Sequence, residues 1–559
     1  GAAQQVAVSP DGGVDLLSVF ACEGGEFEVS WSGEVFVPGT IYIGRGTTVR
    51  IMGDTGAADN NATTASGSSS SGSGSSGTFA DDDNDRPQEW VKGLSDRLPP
   101  LPNGLTAAAV ATAPASSPSS PSSASSASAS VTSTLTTTAA ATAAPSAGVN
   151  GSDGTAYSSS SSSSYAAGGE GPGEARPPAP IFFVDGGQLF LENLAVRGGH
   201  TANSTDSFVY SSADPDASVD DSALLDTGDT TTNSSSSSSV VVVSGGAVHA
   251  VDSNVTVTGC EFEDNFAELW GGAIFANGSS LVVRGSVFRR CRAGLQSEAA
   301  DEGVAGAGGG IGTEFTNILI DGCLFEKCYA SNKGGGMHQG VGQITVLDSV
   351  FFNNTAGSNN AEADDPLGEG GAISLTVCTM SFDGLSACGV NGTVFTDNDT
   401  GKKGGAVVIG SGRAASYVEF HGCTVDGSTT GRDIKDDPQG EGGAFSVGSN
   451  TTLLLADCLL RHNYCGKKGG VATLSGGDDW IADPGGALVL RNSTFTDNLA
   501  DLQNAGVINL SAFSSLVVEG GGNVFARNRC GAEGAVFGAT TDTRLVVEGG
   551  EFYENEAGD

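Results

Sequence analysis

Two short signatures alternate through most of this chain, and their spacing limits the fold more than any other feature. The first is Gly-Gly followed by Ala or an aliphatic residue. It occurs as Gly245-Gly246-Ala247-Val248, Gly271-Gly272-Ala273-Ile274, Gly309-Gly310-Ile311, Gly335-Gly336-Met337, Gly370-Gly371-Ala372-Ile373, Gly404-Gly405-Ala406-Val407, Gly442-Gly443-Ala444-Phe445 and Gly469-Gly470-Val471-Ala472. Weaker copies are Ala505-Gly506-Val507-Ile508 and Glu533-Gly534-Ala535-Val536. The second is Phe-x-x-Asn, at Phe262/Asn265, Phe351/Asn354, Phe395/Asn398, Phe495/Asn498, Phe525/Asn528 and Phe552/Asn555. Cys291, Cys328 and Asn463 take the last slot after Phe288, Phe325 and Leu460.

The shortest interval between copies is 26 residues, as from Gly246 to Gly272, and longer intervals add irregular residues. Short Val-, Leu- and Thr-rich runs lie between, such as Ser280-Leu281-Val282-Val283-Arg284, with no helical period. One coil of short strands per ~26 residues predicts an all-β right-handed parallel β-helix, with parallel strands ~4.8 Å apart. Equivalent residues then stack. Phe262, Phe351, Phe395, Phe495 and Phe525 are expected to form an internal aromatic stack. Asn265, Asn354, Asn398, Asn498 and Asn528 are expected to form an amide ladder at a turn. Gly-Gly gives the turn a backbone closed to other residues and lets coils approach closely.

Organisation follows from the repeat. Residues 14–53 read as the first rungs, 180–199 as one further rung, and 240–559 as the repeat array. The segments 54–179 and 200–239 are Ser/Ala/Thr/Pro- and Ser-rich. They cannot bury enough apolar surface to offset chain entropy and are expected to be disordered. A solenoid tolerates such inserts, because loop closure cost grows slowly with length. The last residues, 551–559, stop where another Gly-Gly is due, which reads as an open C-terminal end.

The stretch Cys260-Glu261-Phe262-Glu263-Asp264-Asn265-Phe266-Ala267-Glu268-Leu269-Trp270-Gly271-Gly272-Ala273-Ile274 closely resembles the paired repeat of the polymorphic outer membrane protein family. That family belongs among right-handed β-helices of the pectin-lyase-like superfold. The resemblance covers about 240–559, with weaker echoes at 14–53 and 180–198. It implies a secreted or surface protein, often adhesive, and does not imply an enzyme. Two departures stand out. No counterpart of the bacterial family's membrane barrel is read within these residues, and the low-complexity inserts point to an algal or other eukaryotic microbial source.

Charge narrows the partners. The chain carries 65 Asp and Glu against 25 Lys and Arg, a net charge of −40, which argues against nucleic acid as a ligand. The longest aliphatic stretch, Val240-Val241-Val242-Val243, is far below the ~20 residues a membrane helix needs. Cell-surface or wall glycans and proteins are the expected partners, and the expected location is extracellular or at the cell surface.

The 11 cysteines show no CxxC pair, which argues against zinc. Cys291 and Cys328 fill the Asn slot of successive coils, and Cys423 and Cys458 both lie two residues before the Phe slot of successive coils. Stacked equivalents fall within disulfide range, so both pairs are candidate disulfides, with unbridged buried thiols as the alternative. Of twelve Asn-x-Ser/Thr sequons, Asn277, Asn391 and Asn450 fall in expected exposed turns and are candidate N-glycosylation sites. Asn398 is also a sequon but fills a ladder slot.

No catalytic, cofactor or metal site emerges. The superfold hosts lyases, hydrolases and epimerases of acidic polysaccharides, and fold alone does not decide. Asp364-Asp365, Asp436-Asp437 and Asp478-Asp479 lie in irregular inserts, where weak Ca²⁺ binding is the most they suggest. Thr-Asp-Asn at 396–398 and 496–498 is part of the ladder motif, and Arg432-Asp433-Ile434-Lys435 is a near-miss. The five His never cluster. Lys402-Lys403 and Lys467-Lys468, on equivalent turns, could form a small basic stripe. The expectation is therefore a non-catalytic adhesive, glycan-binding or wall protein. The alternative is a polysaccharide lyase, hydrolase or epimerase, which needs at least three Asp, Arg or Lys converging on one sheet face.

Overall fold

A computed structural model describes residues 4–8, 25–31, 40–53, 179–201, 244–294, 306–357, 368–378, 388–410, 415–431, 440–478, 484–502 and 505–558. The two expected disordered inserts, apart from their edges, lie outside these residues. So do all of residues 61–171.

The described residues contain strands and turns and no helix. Every strand pairing is parallel, and the strands form four sheets of 14, 11, 11 and 12 members. The coil opening at Gly245 shows the plan. Val248–Val251 follows the glycines and belongs to a 12-stranded sheet, here the glycine-side sheet. Asn254–Thr258 lies in the 14-stranded long sheet. Glu261–Glu263 carries the repeat Phe and lies in the Phe sheet. Phe266–Ala267 follows the Asn and lies in the short sheet. The next coil repeats each strand in register: Val248 pairs with Ile274, Val255 with Leu281, Phe262 with Phe288 and Ala267 with Ala293. The chain is thus a right-handed parallel β-helix. The early strands Gly25–Trp31, Ile41–Ile43 and Thr47–Gly53 join the same sheets.

Strand alternation sends one set of residues inward. In the Phe sheet the column runs Val196, Phe262, Phe288, Phe325, Phe351, Phe395, Val425, Leu460, Phe495, Phe525. The five rings from Phe262 to Phe395 stack at 4.6–5.2 Å, and Phe495, Phe525 and Phe552 resume the stack. Aliphatic columns of the long and glycine-side sheets complete one continuous core.

The Phe-x-x-Asn turn explains the Asn. The residue before it adopts positive φ in every coil, for example Asp264 (54°), Asn353 (52°), Asp397 (53°) and Asp497 (57°). The Asn side chain then turns inward and is fully buried at Asn265, Asn354, Asn398 and Asn528, with Asn498 1% exposed. Each ladder amide donates back to a carbonyl of the preceding coil, as Asn354 does to Phe325 at 3.0 Å and Asn498 to Leu460 at 3.1 Å.

The structure shifts the glycine register in two coils. Gly308-Gly309 and Gly334-Gly335 are the equivalents of Gly271-Gly272, since Ile274 pairs with Ile311 and Ile311 with Met337. Gly310 and Gly336 fill the Ala273 slot. Triple glycine hides this in sequence. In the pair, the first glycine holds φ +63° at Gly271. A Cβ on the second, Gly272, would strike the backbone carbonyls of Gly309 and Arg292. A Cβ on the first, Gly271, would also strike the Ile274 carbonyl, so the first position needs glycine for conformation and for space, and the second for space.

Candidate functional site

The outward residues of the Phe sheet and its following turn form two adjacent columns. The first runs Arg197, Glu263, Arg289, Glu326 in successive coils. Opposite charges therefore stack rung on rung, and a lattice results. Arg197 pairs with Glu263 at 2.7 Å and Glu261 at 3.5 Å. Arg289 pairs with Glu261 and Glu326, each at 2.8 Å. Arg290, one residue on, pairs with Glu263 at 2.6 Å and Asp264 at 2.8 Å. The His200 ring stacks on Phe266 at 4.9 Å in the neighbouring short sheet.

The same columns carry a second cluster further on. Asp426 accepts from Arg461 Nη2 and pairs with His462 Nδ1, both at 2.8 Å. Arg527 grips both oxygens of Asp497 at 2.8 Å and donates to the Thr496 hydroxyl at 2.7 Å. Both Thr-Asp-Asn copies are therefore ladder elements. Asn398 and Asn498 are buried, and the carboxyl of Asp497 is held down at about 2, first by the Arg527 hydrogen bond. Asp264 is likewise lowered by Arg290. A general acid needs a carboxyl moved the other way.

A third ladder runs beside the glycines. The residues just before the first glycine pair as isolated parallel bridges: Trp270, Ala307, Lys333, Glu369, Lys403, Glu441, Lys468. Five of these alternate in sign. Lys403 meets Glu369 at 3.5 Å, and Lys468 meets Glu441 at 2.9 Å. Lys403 and Lys468 are therefore not neighbours in a basic stripe: Glu441 stands between them.

This strip folds over the outer face of the glycine-side sheet. Thr473 Oγ1 donates to the Lys468 carbonyl at 2.8 Å, and the His249 ring donates to Ser244 at 2.9 Å. Outward residues that sequence alternation assigns to solvent, including His249, His338, Ser374 and Thr473, are consequently buried. Desolvation lowers His249 to about 4 and His338 to about 3. Trp270 packs edge-on against Phe275 at 5.8 Å and His338 at 5.5 Å.

The cysteine pairs do stack, but as thiols. Cys291, Cys328, Cys423 and Cys458 are buried and unbridged. Each Sγ donates back to a carbonyl of the preceding coil: Cys291 to Phe262, Cys328 to Phe288, Cys423 to Val390 and Cys458 to Phe420, at 3.4–3.5 Å. The one disulfide among the described residues joins Cys378 and Cys388 within a coil, with Cα atoms 6.0 Å apart. Of the candidate sequons, Asn391 is exposed, while Asn277 and Asn450 are half-buried.

Asp364-Asp365, Asp436-Asp437 and Arg432-Asp433-Ile434-Lys435 lie outside the described residues, and Asp478 is exposed. Among the described residues no group of three or more His, Cys, Asp or Glu is placed to hold a metal, and no helix is long and apolar enough to cross a membrane. The alternating ladders were legible only once coil equivalence was known. The fold defines the class, a right-handed parallel β-helix with ion-paired surface columns. Comparisons with family models, curated proteins and solved structures find no match.

Proposed function

We propose that the chain is a non-catalytic recognition or structural β-helix of the polymorphic outer membrane protein repeat type, secreted or displayed at the cell surface. Its partners are surface or wall glycans or proteins. The observation that carries this reading is the use of surface charge: Arg197, Arg289, Arg290 and Arg527 are engaged by Glu261, Glu263, Asp264, Glu326 and Asp497 from adjacent coils. Carboxylates held in this way stiffen a binding face rather than shuttle protons. The Cys378–Cys388 bridge supports an oxidising compartment. The test is binding of the purified chain to glycan arrays and to intact cell walls. Saturable binding weakened by Arg289→Gln and Arg290→Gln supports the proposal; absence of binding to any surface sinks it.

The enzyme reading keeps one supporting observation. Three Arg and four acids do converge on the outer face of the Phe sheet and its turn. An assay of polyuronate depolymerisation separates the two. Chain cleavage lost in Arg289→Gln would establish the enzyme instead.

A further inference from the structure

Cys291 with Cys328, and Cys423 with Cys458, share three features that no other pair of thiols among the described residues shows together. First, each pair occupies one column in consecutive coils. Phe288 pairs with Phe325, three residues before the first pair, and Val425 pairs with Leu460, two residues after the second. Backbone bonds hold the second pair in line, since Leu459 N–H donates to the Cys423 carbonyl at 2.9 Å. Second, all four thiols are buried, and each Sγ donates to a carbonyl of the preceding coil at 3.4–3.5 Å. Third, each pair spans a lengthened coil. Cys291 and Cys328 are 37 residues apart and Cys423 and Cys458 are 35 apart, against 26 from Asn265 to Cys291. The disulfide already formed, Cys378–Cys388, likewise closes an extension within a coil.

The same column holds a built-in control. Cys260 and Cys323 occupy the turn slot used by Cys423 and Cys458, but Ser286 lies between them, donating its hydroxyl to the backbone and accepting from Cys260 N–H at 3.1 Å. Two coils separate these thiols, roughly 9.6 Å at ~4.8 Å per coil, beyond disulfide reach.

We propose that Cys291–Cys328 and Cys423–Cys458 are inter-coil disulfide sites, which clamp adjacent coils where the chain between them is lengthened. Parallel coils place equivalent Cα atoms at ~4.8 Å, inside the range a disulfide spans. The clamp acts where closure entropy is largest, because a longer loop gains more from a cross-link. The step consumes a small-molecule disulfide such as oxidised glutathione. One thiol, deprotonated, attacks a glutathione sulfur and releases one reduced glutathione. The second thiolate then displaces the other, so that one protein S–S bond forms, both thiol protons leave, and two glutathione thiols appear. All four thiols are buried in the closed coils, out of reach of a small-molecule disulfide, so exchange is faster while coils are closing than after they close.

The experiment refolds the full chain from reduced denaturant with a glutathione redox pair, alkylates remaining thiols, and maps peptides by mass spectrometry. The expected result is two linked peptides, Cys291–Cys328 and Cys423–Cys458, each two hydrogens lighter than the reduced pair, with Cys260 and Cys323 alkylated. Native protein given the same buffer should link several-fold more slowly. Cys328→Ser should leave Cys291 alkylated and the Cys423–Cys458 link intact. Recovery of all four cysteines alkylated overturns the proposal, whatever the state of Cys378 and Cys388. So does a Cys260–Cys323 link in comparable yield, because that would mean scrambling rather than geometry.

Discussion

The side-chain amide of Asn354 donates to the side-chain oxygen of Asn398, one coil on, at 3.0 Å. The same oxygen accepts from the Asn354 backbone N–H at 3.0 Å, and Asn398 in turn donates to the Phe351 carbonyl at 2.9 Å. Asn398→Ala therefore strips partners from three buried groups at once. Each orphaned group costs ~1–3 kcal/mol, so a loss of about 3 kcal/mol is expected. Amide hydrogen exchange at Asn354 should accelerate far more than exchange in the Phe495–Phe525 coils, because stability in a solenoid is local. Uniform acceleration along the chain would show that the ladder acts globally.

The Phe column was readable in sequence, and its tolerance is readable from its exceptions. Phe325 stacks between Phe288 at 4.7 Å and Phe351 at 4.6 Å and is fully buried. Phe325→Ala should cost ~3–5 kcal/mol through the cavity it opens. Phe325→Leu should cost under ~1.5 kcal/mol, since Leu460 already occupies this column. Urea unfolding of the two variants compares them directly. Equal losses would mean that ring stacking, rather than volume, holds the column.

Sequence reading reached the coil, the Phe and Asn columns and the stacking of cysteines because these depend on residues repeating at one spacing. It missed features that depend on which column neighbours which. Lys333, Glu369, Lys403, Glu441 and Lys468 form a ladder only because the glycine register is fixed by Gly308 and Gly334, which triple glycine disguised. The burial of His338 was not legible, because nothing in the sequence tells that the preceding strip folds back over its own sheet. The two-residue strands such as Phe266–Ala267 are too short to carry any period.

Acid should weaken the fold through the covered histidines. His338 is lowered to about 3 by burial and by Lys333, and its Nδ1 has no partner beside Ser374, whose hydroxyl also has none. The unfolded chain binds a proton near pH 6.5, but the folded chain does not until about pH 3. Stability is therefore fully present above 6.5 and falls as pH drops toward 3. Between pH 6.5 and 4.5 the loss is on the order of 2–3 kcal/mol for this residue alone. His338→Phe, with a side chain already used by Phe275 in the same column, should flatten the pH profile of the unfolding midpoint. An unchanged slope would place the acid sensitivity elsewhere.

The sign alternation of the glycine-side strip predicts a salt-dependent effect. Glu441→Lys would put a third lysine between Lys403 and Lys468 in consecutive coils, in place of one Lys468–Glu441 pair at 2.9 Å. Partly exposed pairs are worth ~0–1 kcal/mol, and repulsion should about double the change. Molar salt shortens the Debye length to ~3 Å and should restore most of the loss. A loss insensitive to salt would show that Glu441 acts through backbone packing.

Two glycines test whether the repeat uses this residue for conformation or for space. Gly285 has φ +52° in the turn between the long sheet and the Phe sheet, and a Cβ there would meet nothing within 4 Å. Asn193, Asp348, Asp457 and Asn492 hold the equivalent turn in other coils, at φ 44–56°. Gly285→Asn should therefore cost under ~1 kcal/mol, since short polar side chains tolerate this conformation. Gly272 differs: its backbone is packed against the Gly309 and Arg292 carbonyls, so even one methyl must push two coils apart. Neighbouring coils offer Gly246, Gly309, Gly335 and Gly371 at the same slot, each with a backbone carbonyl equally close. Gly272→Ala should cost at least ~3 kcal/mol and expose the adjacent coils to protease, because backbone cannot yield as a side chain can. Comparable losses in the two variants would mean that close approach contributes nothing to the choice of glycine at Gly272.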